Sequence, residues 1–284
     1  MIAQEQLSKL NGLALQIRKD ILEMLFLAGS GHLGGSIGSA DIFTALYFHL
    51  LRHNPLDPSW KDRDRVILSA GHLAPVLYAT LARCGYFPIE EIKTLRKIGS
   101  RLQGHPSRLS GLPGVETSSG SLGQGLSIGV GMALAAKIRN QQHKIVTIHG
   151  DGELQEGQIW EAAMSAAHYE LSNLIAIVDR NSLQIDGNTE DVLSLEPLKQ
   201  KWQAFGWNVI QCNGNSIAEF IAAYRSIEPS LNMPSVIIAN TTMGAGVAMI
   251  ENDHRWHGKA PNKEEYLTFL NALQDRFDGS NAAI

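Results

Sequence analysis

Two hydrophobic periods run along the chain. Near its start Leu7, Leu10, Ala14, Ile17, Ile21, Leu25 and Ala28 recur every three or four positions, the spacing of one apolar face on a helix. Gly29-Ser30-Gly31 ends that helix, and His32-Leu33-Gly34-Gly35-Ser36 is expected to be a loop before a second helix over residues 39–51. Elsewhere, short runs rich in β-branched residues take over, at 65–69, 144–148, 174–178, 207–211 and 235–239. Such runs read as strands buried on both faces. Helical stretches separate them: one near Pro75, where proline is tolerated early in a helix, one after Gly125, and others over 158–169, 217–226 and 263–277. In the helix after Gly125, the residues Gly125, Gly129, Ala133 and Ala136 make a smooth face suited to close packing against another helix. Strand–helix alternation at this rhythm predicts an α/β fold, a parallel sheet with helices on both faces. No repeat, low-complexity tract or linker interrupts it, so residues 1–284 read as a single domain.

The chemistry concentrates in one βαβ unit, HGDGELQEGQIWEAAMSAAHYELSNLIAIVDRNSLQIDG. The strand at 144–148 runs into Gly150-Asp151-Gly152, and the strand at 174–178 runs into Asp179-Arg180-Asn181. A right-handed crossover brings both ends to one side of the sheet, the edge where open parallel sheets bind ligands. An Asp carboxylate and an Asn amide oxygen converging there suit a hard divalent cation. Magnesium takes few oxygens from protein and the rest from phosphate and water. Asp151, Asn181 and the carbonyl of Leu183 would leave room for two diphosphate oxygens and a water. Gly150 and Gly152 would let a diphosphate approach the backbone. The alternative is a plain turn with Asn181 as a cap. The matching strand end thirty residues after Asp151 argues against coincidence.

Composition narrows the classes. With 44% hydrophobic and 18% charged residues the chain is ordinary globular protein. A net charge of −4 argues against a dedicated nucleic-acid surface. Cys84 and Cys212 stand far apart, without metal-type spacing, and suit a reducing compartment better than a disulfide framework. The polar N-terminus lacks an apolar signal core. The charge-free run 117–136 is too rich in Gly and Ser for a membrane span. The expected location is the cytoplasm.

Of ten histidines, five adjoin a glycine: His32, His72, His105, His149 and His257. His149 lies within a strand and reads as structural. The other four sit in loops or at strand ends, where chemistry over a parallel sheet is carried. Taken singly, each is more readily a structural or surface residue.

The GDG sequence followed thirty residues later by an Asn-containing strand end resembles the thiamine diphosphate motif. The wording GDGELQEGQIWEAA and DRNSLQIDG is similar to the transketolases specifically, and the resemblance covers nearly the whole chain. It implies the thiamine diphosphate-binding fold in its diphosphate domain, with the metal held by Asp151, Asn181 and Leu183. That metal would be Mg2+, or another divalent cation such as Ca2+. Cofactor contacts would come from His72, Gly120, Ser121, Leu122, Gly152, Glu153, Asn181 and His257. The histidine segments SGH, SAGH, QGHP and WHGKAP also resemble those of the family. Cleaving a ketose between C2 and C3 takes a proton from the C3 hydroxyl, and imidazole can accept and return it. By the resemblance His32 and His257 are the proton-transfer pair, and His32, His105 and His257 contact substrate, His105 at the C1 hydroxyl. Glu156 matches a glutamate that faces a partner's active site.

In full-length transketolases a separate pyrimidine-binding domain, carrying the glutamate that activates the cofactor, follows the region matched here. The chain therefore resembles the N-terminal subunit of a split transketolase. It is expected to transfer ketol units between sugar phosphates only with a C-terminal subunit, most simply as α2β2. The residues that read the sugar phosphate are expected in that partner.

Rival readings are a non-catalytic phosphate-binding module, a nicotinamide dehydrogenase, and a deoxyxylulose phosphate synthase or a 2-oxo acid dehydrogenase subunit. A 2-oxo acid donor has no C3 hydroxyl to deprotonate, which leaves four histidines harder to explain. A binding module needs none of them, and no G-x-G-x-x-G follows an early strand.

Overall fold

A computed structural model describes residues 2–228 and 231–282. In order the elements are α1 (Gln4–Ala28), α2 (Leu33–Gly38), α3 (Ala40–Ala45), β1 (Arg65–Leu68), α4 (Ala74–Cys84), α5 (Gln124–Ile138), β2 (Ile145–Gly150), α6 (Gly157–His168), β3 (Leu174–Arg180), the hairpin β4 (Leu183–Gln184) and β5 (Gly187–Asn188), α7 (Thr189–Val192), α8 (Leu198–Ala204), β6 (Asn208–Asn213), α9 (Ile217–Arg225), β7 (Ser235–Asn240) and α10 (Lys263–Ala282).

Five strands pair in parallel in the order β1-β2-β3-β7-β6. Every residue of β3 is buried, as expected of a central strand with helices on both sides. One face of the sheet packs against α5, α6 and α8 through Ile67, Ile145, Ala176, Val178 and Ile238. The other packs against α1, α3, α4 and α9 through Val66, Ile148, Ile177 and Ile237. Residues alternate between these cores because successive side chains point to opposite faces of a strand. The connections from β1 to β2 to β3 advance one way across the sheet, and β6 to β7 returns from the far edge. The direction of winding across the sheet therefore reverses between β3 and β7, and open parallel sheets bind ligands beyond the C-terminal ends of their strands at such a point.

Three sequence expectations need correction. The stretch Leu33–Gly38 is a short helix, not a loop, and is fully buried. Its glycines allow close approach: a Cβ on Gly34 would meet Met243 Cγ at 2.6 Å, and one on Gly38 would meet the Thr242 carbonyl at 2.8 Å. Packing onto the segment after β7 outweighs the poor helix propensity of glycine. The helix expected over residues 39–51 is α3, ending in a π-helical turn, Leu46–Leu50. Lastly, the small face of α5 packs on the sheet and not on another helix. A Cβ on Gly129 would meet Thr147 Cγ2 at 2.6 Å, and Gly125 lies against Ser69. The stripe on α1 is likewise consumed inside, under α3, α4 and α10. Neither face is left over for a partner.

Candidate active site

At the C-terminal edge of the sheet lies a cavity of about 330 Å³. All the expected site residues line it except Ser121, which is exposed beside it.

The oxygen cluster is built by two strand ends. Asp151 follows β2, buried; its Oδ1 accepts from its neighbour's N–H (Gly152, 2.8 Å) and its Oδ2 from Ser182 N–H (2.6 Å) and Arg180 Nη1 (3.0 Å). Burial pushes its carboxyl above the ordinary range, and Arg180 opposes that push. After β3, Asn181 donates through Nδ2 to Asp179 (3.1 Å), and its Oδ1 accepts from Leu183 N–H (2.9 Å). The amide is thereby oriented, with its oxygen toward the Leu183 N–H and its nitrogen toward Asp179.

Two residues that carry this arrangement were not singled out from the sequence. Asp179 lies at the end of β3, accepting from Ser39 Oγ (3.1 Å) and from Thr241 Oγ1; burial pushes its carboxyl up to about 6. A carboxylate two places before Asn181 was the available signal. Arg180 is buried and reaches Glu190 (2.9 Å), Glu196 (3.2 Å) and Thr189 Oγ1 (2.7 Å) as well as Asp151. It ties the oxygen cluster to the 189–196 segment, and nothing local in the sequence pointed to those partners.

Glu153 also lines the cavity, but its carboxylate is committed internally. It accepts from Ser69 Oγ, from Gly123 N–H (2.8 Å) and from Gly150 N–H (3.3 Å), with His149 Nδ1 at 3.5 Å. Burial alone would raise its carboxyl, yet His149, Ser69 and Gly123 together hold it below the ordinary range. It joins the ends of β1 and β2 to the start of α5. His149 is fully buried within β2 and serves this network.

Four loops deliver the other histidines. His32 caps α2, His72 sits in the turn Gly71–Leu73, His105 belongs to the 99–119 loop, and His257 follows the turn His254–Trp256. Their ring centroids are close: 4.9 Å for His72–His257, 5.5 Å for His32–His72, 5.8 Å for His32–His257 and 6.1 Å for His32–His105. Burial holds all four below their ordinary titration range, His32 at about 4 with help from His257, His105 and Arg96. At neutral pH the rings are uncharged, the form that accepts a proton.

Neutral rings make stability depend on pH. Unfolded, His32 takes a proton near pH 6.5; folded, it does so only near pH 4. Between those values the unfolded chain binds more protons, so stability falls as the pH falls. Denaturant titrations of the unliganded chain should show this loss between about pH 6.5 and 4. His32→Gln should lose less over the same window. A wild type–mutant difference that stays constant with pH would contradict it.

The residues present fit a metal and a diphosphate. Among the described residues no group of three His, Cys, Asp or Glu could hold a metal, so a cation here would depend on Asp151, the Asn181 amide, the Leu183 carbonyl and phosphate oxygens. This all-oxygen set suits Mg2+ or Ca2+. Gln184 Nε2, His32 Nδ1 and His257 Nδ1 are buried without a hydrogen-bond partner in the protein, as groups awaiting a ligand are. A Cβ on Gly152 would meet Gln184 Oε1 at 2.7 Å, and one on Gly71 would meet Gly120 N at 2.6 Å. At both places the backbone is kept bare.

The family model for the transketolase thiamine diphosphate-binding domain matches residues 11–274. The chain belongs to the transketolase family. It is 42% identical over 261 residues to one subunit of an apulose-4-phosphate transketolase from Phocaeicola vulgatus, covering 92% of each chain. It is 44% identical over 270 residues to one subunit of a 6-deoxy-6-sulfo-D-fructose transketolase from a Clostridium species, covering 95% of this chain and 98% of the relative. Human transketolase is 37% identical over 257 residues, 90% of this chain but 40% of its own. Among solved structures, a transketolase of Pichia stipitis superposes with a TM-score of 0.87 at 31% identity, over 94% of this chain and 40% of that one. The chain thus spans about 40% of these longer transketolases and nearly the whole of the two shorter relatives. The parallel sheet is the transketolase thiamine diphosphate-binding fold.

Proposed function

We propose that the chain is the diphosphate-binding subunit of a two-subunit transketolase, moving a two-carbon ketol unit from a ketose phosphate to an aldose phosphate. One observation carries this reading: four uncharged histidines from four separate loops share a cavity with the Asp151–Asn181–Leu183 oxygen cluster. Bound thiamine diphosphate supplies the carbon that accepts the two-carbon unit. The chain's own residues do the rest. Asp151, Asn181 and Leu183 hold Mg2+, or a similar cation such as Ca2+, against the diphosphate, with His72, Gly120, Ser121, Leu122, Gly152 and Glu153 around it. His105 holds the donor's C1 hydroxyl. His32 and His257 take the C3 hydroxyl proton and return one to the acceptor. Glu156 is exposed at the cavity mouth, free to face a second subunit carrying the pyrimidine site, in an α2β2 assembly. The two relatives of matching length are themselves named as subunits. Residues 1–284 acting as one domain, and a cytoplasmic location, belong to the same reading. Among the described residues no helix is long and apolar enough to cross a membrane.

Calorimetry tests the metal site directly. Asp151→Ala should weaken Mg2+-dependent thiamine diphosphate binding by about 100-fold or more, a few kcal/mol at about 1.4 kcal/mol per tenfold. Arg180 keeps Glu190 and Glu196 as partners, so the substitution does not strand a buried cation. Unchanged affinity would remove Asp151 from the metal.

A further inference from the structure

Three carboxylates and one guanidinium meet beside the oxygen cluster. Arg180 ends β3, and its side chain is 7% exposed. Its Nη1 donates to Asp151 Oδ2 (3.0 Å) and to Thr189 Oγ1 (2.7 Å), and its Nη2 donates to Glu190 (2.9 Å) and Glu196 (3.2 Å). The two sides of the fork differ in surroundings. The Asp151 side chain is 2% exposed, whereas those of Glu190 and Glu196 are 32% and 56% exposed. Water screens the outer pairs, and the inner pair keeps most of its Coulomb energy. Burial works against the charge on Arg180, and among the acids that restore it Asp151 comes first.

A cation on Asp151, Asn181 and Leu183 would therefore meet a donor set with little net charge. The Asn181 amide and the Leu183 carbonyl offer neutral oxygens. The single carboxylate is already matched by the guanidinium, its one salt-bridge partner among the described residues. It also accepts from the N–H groups of Gly152 (2.8 Å) and Ser182 (2.6 Å). A free divalent ion gains little there for the water it sheds, and Mg2+ dehydrates reluctantly. A diphosphate changes the balance, because its oxygens bring the negative charge that the protein side lacks. Local structure does not by itself call for the arginine. The two backbone N–H groups already orient Asp151, and the 189–196 segment has other ties. Glu190 accepts from Ser194 Oγ (2.6 Å) and from the N–H groups of Leu195 and Glu196 (3.2 Å each), and Gln155 Nε2 donates to the Leu193 carbonyl (2.8 Å).

We propose that Arg180 suppresses the binding of free metal at Asp151, so that the site takes a divalent cation only together with a diphosphate. The inference rests on the metal site of the transketolase reading. Arg180 acts through Asp151, as a positioning residue whose charge sets the order in which the site fills.

The probe is Mn2+, which accepts the same oxygen donors, titrated into the full-length chain while the free ion is followed by its electron paramagnetic resonance signal. Without thiamine diphosphate the wild type should bind Mn2+ only weakly at this site. Arg180→Gln should bind it about tenfold or more tightly, because one buried positive charge no longer repels the ion. Arg180→Lys keeps the charge and should stay near wild type. Asp151→Ala should abolish the gain when combined with Arg180→Gln. A residue that only held the fold would shift affinity the other way when replaced. If circular dichroism shows Arg180→Gln unfolded, Arg180→Met, with an apolar stem, takes its place. An affinity unchanged or weaker in the uncharged variant, or a gain that survives Asp151→Ala, would overturn the proposal. Tight Mn2+ binding by the wild type without cofactor would overturn it too, while leaving the metal site standing. Wild-type thiamine diphosphate binding indifferent to Mn2+ and Mg2+ would instead remove the metal site, and this inference with it.

Discussion

Purified alone, the chain is expected to transfer no two-carbon unit from xylulose 5-phosphate or any other ketose; adding a second polypeptide of roughly two ordinary domains should restore transfer. In the proposed reading, the cavity residues of this chain serve a metal, a diphosphate and the proton traffic at the sugar. The reading leaves the aminopyrimidine, and the glutamate that activates it, to the other chain. Surface features agree with a covered mouth. Ile185 on the cavity wall is 62% exposed, and Val192 and Leu193, at the end of α7, are exposed as well. On the outer side of α5, Gly131, Ala135 and Ile138 face solvent, apolar positions that a partner would shield. Steady-state assays of each polypeptide separately and of the mixture decide the matter. Robust turnover by this polypeptide alone would refute the two-subunit reading, whatever the metal site binds.

The second large effect concerns the proton pair. His32→Ala or His257→Ala, each assayed in the complex, should cut ketol transfer by roughly 10²–10⁴-fold, the usual share of a positioned general acid–base. Both Nδ1 atoms lack a partner within the protein, so truncating the rings breaks no internal hydrogen bond at those atoms. For His32→Ala, melting temperature and cofactor affinity should change little. His257→Ala should weaken cofactor binding too, since its ring lies 4.9 Å from that of His72, a residue assigned to the diphosphate in the proposed reading. Mutants that unfold, or that keep full activity, would return both residues to a packing role.

Much of this site was legible before any fold was known, because its parts are local. Asp151, Asn181 and the histidines each sit in a short turn at a strand end or helix start, most of them marked by glycine, and such turns are written in consecutive residues. What escaped notice is held by distant contacts. Asp179 matters through Ser39 and Thr241, 140 and 62 residues away in sequence.

The sequence by itself determined the strand–helix alternation, the parallel sheet and the oxygen pair thirty residues apart. It could do so because strands buried on both faces must be apolar throughout and right-handed crossovers leave one choice of edge. Only the tertiary structure decided what each helix face touches. Gly129 reads equally as a helix–helix contact or a helix–sheet contact, and it became the latter because Thr147 stands opposite it. Leu33–Gly38 became a helix because Met243 and Thr242 press on its glycines. Local propensity amounts to tenths of a kcal/mol per residue, about 1 for glycine, whereas burying one large apolar side chain contributes about 1.5–3 kcal/mol. Where the two disagree, the packing partner decides, and no window of sequence contains it.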